Sequence, residues 1–225
     1  MKGMYNNKKN VIFIEDTMES LDCIEGHEFI VPIFTKPEKS FHCGCGVIVD
    51  GLLITAGHVA KDQESKTPLH SLYVLFHDKF ISLLDENIIY DGRNNDDRNG
   101  IHDDLIVYSC GIANSPFVLN GEPISEGLGL YTWPIDYDDD TGKMLCHGNG
   151  CTVTSLHASP FNCKNGVWSN CFIVNNPGIY QHGNSGSALY RKNEVYGILL
   201  GGGNDTRMYK AMDANYIKQK INSCL

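Results

Sequence analysis

Short apolar runs separated by polar residues and glycine recur along the whole chain. Three of them, residues 29–35, 41–49 and 52–55, precede position 58, and the Asp50 and Gly51 pair between the last two is typical of a two-residue hairpin turn. Further strands are predicted at residues 72–76, 80–84, 105–110, 151–156, 172–174, 188–190 and 195–200. Strands at this spacing favour a sandwich or a barrel over parallel strand-helix-strand units.

Only the end of the chain has a convincing helical pattern. Tyr216, Ile217 and Ile221 lie at helix spacing among polar residues, which predicts a helix over residues 214–222. We therefore expect an all-β protein with a C-terminal helix. A boundary within residues 120–129 would divide the chain into two β-rich halves, residues 1–125 and 126–225.

The charge balance argues against a nucleic-acid partner, because a formal net charge of -9 leaves no broad basic surface for a phosphate backbone. The acidic surplus lies in loop-like stretches such as Asp96, Asp97 and residues 136–140, which we interpret as solvated turns. They lack the spacing of a calcium loop, so no metal is predicted. No apolar run reaches the roughly 18 residues of a membrane span, and the run ending at Ile14 is too short for a signal peptide. We expect a cytoplasmic protein without membrane contact.

The chain has nine cysteines, so complete disulfide pairing would leave one thiol over. Cys43 with Cys45, and Cys146 with Cys151, raise the hypothesis of a zinc site, but neither pair has the two-residue spacing of a zinc knuckle. Buried thiols that pack as small apolar side chains are the preferred interpretation, and no cofactor is predicted.

Three short segments carry the residue types of nucleophilic catalysis. Residues 183–188, GNSGSA, place Ser185 between glycines, where the backbone turns sharply and its amides can face a substrate oxygen. His58 follows a predicted strand, and Asp104 directly precedes another. A serine enzyme needs a base, an orienting acid and donors for the oxyanion. Each segment alone is weak, since a glycine-flanked serine is most often a turn, but the order His, Asp, Ser favours catalysis.

These segments resemble the histidine, aspartate and serine motifs of the chymotrypsin/trypsin clan of serine peptidases, with Gly57 replacing an alanine of the histidine motif. The resemblance implies two antiparallel six-stranded β-barrels and a C-terminal helix, with His58 and Asp104 in the first half and Ser185 in the second. It also implies a serine endopeptidase in which Ser185 attacks a peptide carbonyl, His58 moves the proton and Asp104 orients the imidazole. A polypeptide is then the substrate, while the oligomeric state is not indicated.

The family pattern also separates two neighbouring acids and assigns the oxyanion donors. Asp104 is preferred to Asp103, because the family's acid immediately precedes the apolar run of the strand, and Asp103 is then expected to be a solvated neighbour. The amides of Gly183 and Ser185 would form the oxyanion hole.

The predicted substrate-binding residues are Ile179, Leu199, Gly201 and Gly202. Ile179 lies six positions before the serine, where the family has the base of its primary pocket. An apolar base would leave a lysine or arginine charge buried and unpaired, so cleavage after an uncharged residue is expected. Gly201 and Gly202 lie where relatives pair with the substrate strand, and Leu199 lies where glutamine-reading viral proteases usually have a histidine.

Two departures separate the chain from secreted trypsins. Val59 follows His58 where those enzymes have a cysteine that pairs with one at the position of Cys45. Asn184 precedes the serine where zymogen-activated members have an aspartate that captures a new N-terminal amine. The chain therefore looks closer to intracellular bacterial or viral members, and activity is expected without N-terminal processing. The alternatives are a non-catalytic peptide-binding module with a protease fold and a viral polyprotein-processing protease.

Overall fold

The computed structural model describes residues 11–15, 26–93, 103–138, 140–156, 170–175, 183–202 and 207–225. Within them the chain forms sixteen β-strands and one α-helix, with four short 3-10 helices. The elements are β1 (Val11–Glu15), β2 (Ile30–Phe34), β3 (His42–Val49), β4 (Leu52–Ala56), β5 (Ser71–Phe76), β6 (Lys79–Leu84), β7 (Ile88–Asp91), β8 (Leu105–Ser109), β9 (Val118–Leu119), β10 (Gly129–Thr132), β11 (Ile135–Asp138), β12 (Lys143–Ser155), β13 (Cys171–Asn175), β14 (Ala188–Arg191), β15 (Glu194–Gly202), β16 (Met208–Asp213) and α1 (Ala214–Asn222).

The first sheet has seven strands in the order β6-β5-β2-β3-β4-β8-β7, and every pairing in it is antiparallel. Its central hairpin joins β3 to β4 through Asp50 and Gly51, whose φ angles of 49° and 78° are both in the left-handed region. A type I′ turn requires that conformation at both central residues. The hairpin prediction is therefore confirmed.

The second sheet closes on itself. Its strands follow the order β12-β10-β14-β15-β16-β13, and β13 pairs back to β12, which gives a closed six-stranded barrel. β1 and β11 add to β12, while β9 adds to β15. The all-β architecture is confirmed, with the first sheet forming a seven-stranded half-barrel instead of a second six-stranded barrel. The division at residue 125 stays a prediction.

Helix α1 forms where the sequence pattern predicts it. Asp213 is its N-cap, and one carboxylate oxygen accepts a hydrogen bond from the backbone N–H of Asn215 at 2.7 Å. Ile217 and Ile221 are buried on one face, against the strands below. No helix in the described part of the chain is long and apolar enough to cross a membrane.

Three of the four cysteines at the proposed zinc positions are packed in the interior. Cys45, Cys146 and Cys151 are buried and form no disulfide, and burial raises the pKa of each thiol to about 12. Among the described residues, no three His, Cys, Asp or Glu side chains are grouped as a metal ion would require. The prediction of buried thiols is confirmed for these three residues.

Candidate active site

His58 and Asp104 come together because β4 and β8 are paired. Ala56 at the end of β4 lies opposite Leu105 at the start of β8, so the residues that follow and precede them are neighbours. The Nδ1 atom of His58 lies 2.6 Å from Oδ2 of Asp104, and the backbone N–H of His58 donates to Oδ1 at 2.7 Å. One carboxylate therefore holds both the ring and the backbone of the histidine. The imidazole remains 44% exposed, while the carboxylate side chain is 19% exposed.

Asp103 is not the solvated neighbour that the sequence predicted. It is 5% exposed and accepts hydrogen bonds from the hydroxyls of Tyr90 and Tyr216, with the ammonium of Lys220 at 3.9 Å. Burial, and then the Asp103 carboxylate, raise the pKa of Tyr90 and of Tyr216, so both hydroxyls stay protonated donors. Neighbouring residues of an extended segment point to opposite sides, so Asp104 meets His58 while Asp103 turns towards α1.

The turn that carries Ser185 is fastened to the first sheet. The carbonyl of Ser185 accepts a hydrogen bond from the N–H of Cys45 on β3 at 2.8 Å. The carbonyl of Cys45 in turn accepts from the hydroxyl of Thr55 at 2.6 Å, and Thr55 lies on β4, directly before the segment that carries His58. The half-buried serine thus belongs to a turn bonded to β3, which pairs with the strand that leads to the histidine.

Gly186 is the closest point of this packing. A Cβ added there would lie 2.0 Å from the carbonyl oxygen of Cys45 and 2.3 Å from the hydroxyl of Thr55, and the φ of 87° is unfavourable for any L side chain. We expect Gly186→Ala to lower the free energy of unfolding by at least about 3 kcal/mol in urea titrations. Gly129→Ala is the matched control, because a Cβ there meets nothing within 4 Å. Equal stability of the two variants would contradict this close packing.

Gly183 and Asn184 are also held from several sides. Gly183 has a φ of 102°, and a Cβ there would lie 2.8 Å from Cε1 of His42. Its carbonyl accepts from the thiol of Cys45 at 3.3 Å. The buried Asn184 donates its side-chain N–H to the carboxylate of Asp136. The interpretation of residues 136–140 as a solvated turn is wrong at Asp136, which lies on β11 and contacts the serine turn.

His42 makes folding sensitive to pH. Its Nε2 atom is buried without a hydrogen-bond partner in the described part of the chain, and burial lowers the pKa of His42 from 6.5 to about 4. Between these values the unfolded chain binds the proton and the folded chain does not, so stability decreases as pH falls from about 6.5 to about 4. We expect this group to account for a loss of about 3 kcal/mol.

The check is to compare urea unfolding at about pH 7 and pH 4 for wild type and for His42→Gln, which has no titrating ring. The variant should lose less stability over this interval than wild type. An identical pH dependence of the unfolding free energy in the two proteins would show that protonation of His42 does not contribute to it.

Solved structures of two kinds of protease share this architecture. The Rv3671c protease of M. tuberculosis matches with a TM-score of 0.61 at 15% identity, over 88% of this chain and 90% of the inactive form. Kallikrein-related peptidase 10 matches with a TM-score of 0.60 at 16% identity, over 89% of this chain and 97% of that one. No family model and no curated protein matches the sequence. The chain has the chymotrypsin fold.

On this chymotrypsin fold, the residues predicted to bind substrate fall into three groups. Gly201 and Gly202 are exposed near the end of β15, and a Cβ at Gly201 would meet nothing within 4 Å. Leu199 is 2% exposed and packs in a buried apolar cluster with Leu130 and other side chains of the barrel. Ile179 lies outside the described residues. The substrate-binding roles of all four stay predictions.

The segment after His58 is held by packing, and the nearby Cys43 and Cys45 are free thiols. Val59 is buried, and a Cβ added at Gly44 would lie 2.5 Å from one of its methyl carbons. The thiol of Cys43 lies 3.7 Å from the carbonyl oxygen of Val59. Close apolar contact therefore fixes the segment that follows His58.

Proposed function

We propose that this protein is a serine endopeptidase that hydrolyses peptide bonds through an acyl-enzyme intermediate. Ser185 is the nucleophile, His58 the general base and acid, and Asp104 the residue that orients the imidazole. The observation that carries the proposal is the pair of hydrogen bonds from the ring and the backbone of His58 to Asp104. The histidine and aspartate lie next to the end of β4, and Thr55 of β4 bonds the carbonyl of Cys45, whose N–H holds the Ser185 turn.

The mechanism follows from the tautomer that this contact selects. With a hydrogen bond from Nδ1–H to Asp104, the other ring nitrogen, Nε2, has a lone pair free to take the proton of Ser185. The serine oxygen then bonds to the substrate carbonyl carbon, and the imidazolium is stabilised by the carboxylate. The same proton passes to the leaving amine as the peptide bond breaks. A water molecule repeats the two steps on the acyl-enzyme and releases Ser185.

The oxyanion is proposed to lie at the turn, where the amides of Gly183 and Ser185 would donate to it. The positive φ angles of Gly183 and Gly186 support this, because they allow the backbone to fold tightly around the serine. An extended polypeptide substrate would lie beside Gly201 and Gly202. Preference for an uncharged residue before the cleaved bond depends on Ile179 and belongs to the same proposal.

Labelling with a fluorophosphonate probe tests this function, since the probe reacts with an activated serine and not with a serine as such. The full chain from Met1, in a reducing buffer, should be labelled, and digestion should place the label on Ser185. Ser187 in the same turn is an internal comparison, because it is buried and should carry no label. A chain that binds peptides without being labelled would be a non-catalytic module and would overturn the proposal.

A further inference from the structure

The residue before the proposed nucleophile is held by a carboxylate from another strand. Asn184 is 3% exposed, and its side-chain N–H donates to Oδ1 of Asp136. Asp136 lies on β11, in register with Leu145 of β12, so its backbone belongs to a sheet and not to a loop. The position of the acceptor is therefore set by strand pairing, independently of the serine turn.

The same carboxylate is close to Gly183 as well. A Cβ added at Gly183 would lie 3.8 Å from Oδ1 of Asp136. The carbonyl of Gly183 accepts from the thiol of Cys45, and burial raises the pKa of that thiol to about 12, so the thiol remains a donor at neutral pH. The Gly183 carbonyl and the Asn184 side chain are thus fixed by two different strands, β3 and β11.

We propose that Asp136 is a positioning residue that keeps the oxyanion hole formed through Asn184, an inference that rests on the proposed function. In the zymogen-activated relatives considered above, an aspartate at this position pairs with a freed N-terminal amine. In this chain the acid is not in the turn. Asp136 on β11 supplies the carboxylate, and the turn supplies the neutral side-chain amide of Asn184. The amide needs no cation, so the turn keeps its shape without a processed N-terminus.

The hydrogen bond from Asn184 to Asp136 is strong enough to hold the turn. A carboxylate that accepts from an amide forms a charge-assisted hydrogen bond, about twice as strong as a neutral one. An asparagine at position 136 offers only a neutral acceptor oxygen, so the hydrogen bond from the buried Asn184 loses its charge assistance and the turn relaxes. Oxyanion donors act on charge that develops only in the transition state, so their misplacement lowers kcat and leaves KM nearly unchanged.

The experiment compares Asp136→Asn with Asp138→Asn in the full chain. Asp138 lies on the same strand and is partly buried like Asp136, but among the described residues its side chain accepts only from its own turn, from Thr141 and the N–H of Asp140. We expect Asp136→Asn to lower kcat and the rate of fluorophosphonate labelling about 100-fold with little change in KM. Asp138→Asn should behave as wild type.

Two further variants separate positioning from a general structural effect. Asn184→Asp places two carboxylates in contact, and two such groups must share a proton to remain in contact. The kcat of this variant, divided by the kcat of wild type, should therefore rise as pH falls. The double variant D136N/N184D restores one amide and one carboxylate with donor and acceptor exchanged. It should recover most of the kcat that either single change removes, and its thermal unfolding should resemble that of wild type.

The outcomes distinguish this inference from the proposed function. If wild type is labelled and Asp136→Asn is labelled at the same rate, Asp136 has no positioning role and the peptidase proposal stands. If wild type is neither labelled nor active, both proposals are wrong. If Asp136→Asn fails to fold, the other two variants test the inference. A double variant D136N/N184D that folds but is inactive overturns it. So does a ratio of the kcat of Asn184→Asp to that of wild type that does not change with pH.

Discussion

Ser185→Ala is expected to reduce peptide hydrolysis by about a million-fold and to abolish fluorophosphonate labelling. The change removes the side-chain oxygen that would attack the substrate carbon in the proposed mechanism. It should not disturb the fold, because the contact between Ser185 and β3 uses the backbone carbonyl, which alanine also has. Single-turnover assays with a fluorogenic peptide, together with thermal unfolding, measure both effects.

Ser187→Ala is the matched control for this substitution. Ser187 lies in the same turn, but its side chain is fully buried and has no part in the proposed chemistry. We expect labelling and hydrolysis to remain near wild type in this variant. Retention of peptidase activity by Ser185→Ala would show that another residue is the nucleophile.

Asp104→Asn is expected to lower turnover about 10,000-fold. The geometry explains why an amide fails here. Oδ1 of Asp104 accepts from the N–H of His58, so the oxygen of an asparagine amide would take that place and its NH₂ group would face Nδ1. The Nδ1 atom would then have to accept, and the ring proton would move to Nε2, where it blocks proton transfer from Ser185. Turnover measured from pH 6 to pH 9 should stay low throughout.

Asp103→Asn separates chemistry from packing at the neighbouring position. Its side chain contacts Tyr90 and Tyr216 and not His58, so turnover should remain close to wild type. The variant should still lose about 1 to 3 kcal/mol of unfolding free energy, because a buried acceptor of two hydroxyls loses its charge. A greater loss of turnover in Asp103→Asn than in Asp104→Asn would move the orienting acid to Asp103.

The periodicity of apolar residues was sufficient to predict the elements that bury one clear face. The hairpin at Asp50 and Gly51 and the helix over residues 214–222 are confirmed, because each has a local signal that tertiary contacts reinforce. The histidine and aspartate segments also meet as expected, since strand pairing brings β4 and β8 together.

No comparable sequence signal marks β11 or the environment of Asp103. The four residues of β11 alternate apolar and acidic side chains, but they are few and run directly into the acidic stretch that ends at Asp140, so the sequence pattern indicates a turn. Asn184 lies 48 positions from its partner Asp136, and Tyr216 lies 113 positions from its partner Asp103, and such contacts depend on tertiary structure. A buried carboxylate next to a partly buried one cannot be recognised from residue type alone.

The contacts of Asp103 also bear on how the two halves of the chain cooperate. Tyr90 belongs to β7 in the half-barrel, whereas Tyr216 belongs to α1, which follows the last strand of the closed barrel. If α1 detached, a buried anion would lose one hydroxyl donor and the nearby Lys220 cation at once, which is costly in a low-dielectric interior. Local opening of the helix and loosening of the half-barrel are therefore energetically linked. Amide exchange in α1 should accordingly report the stability of the whole molecule and not fraying of its end.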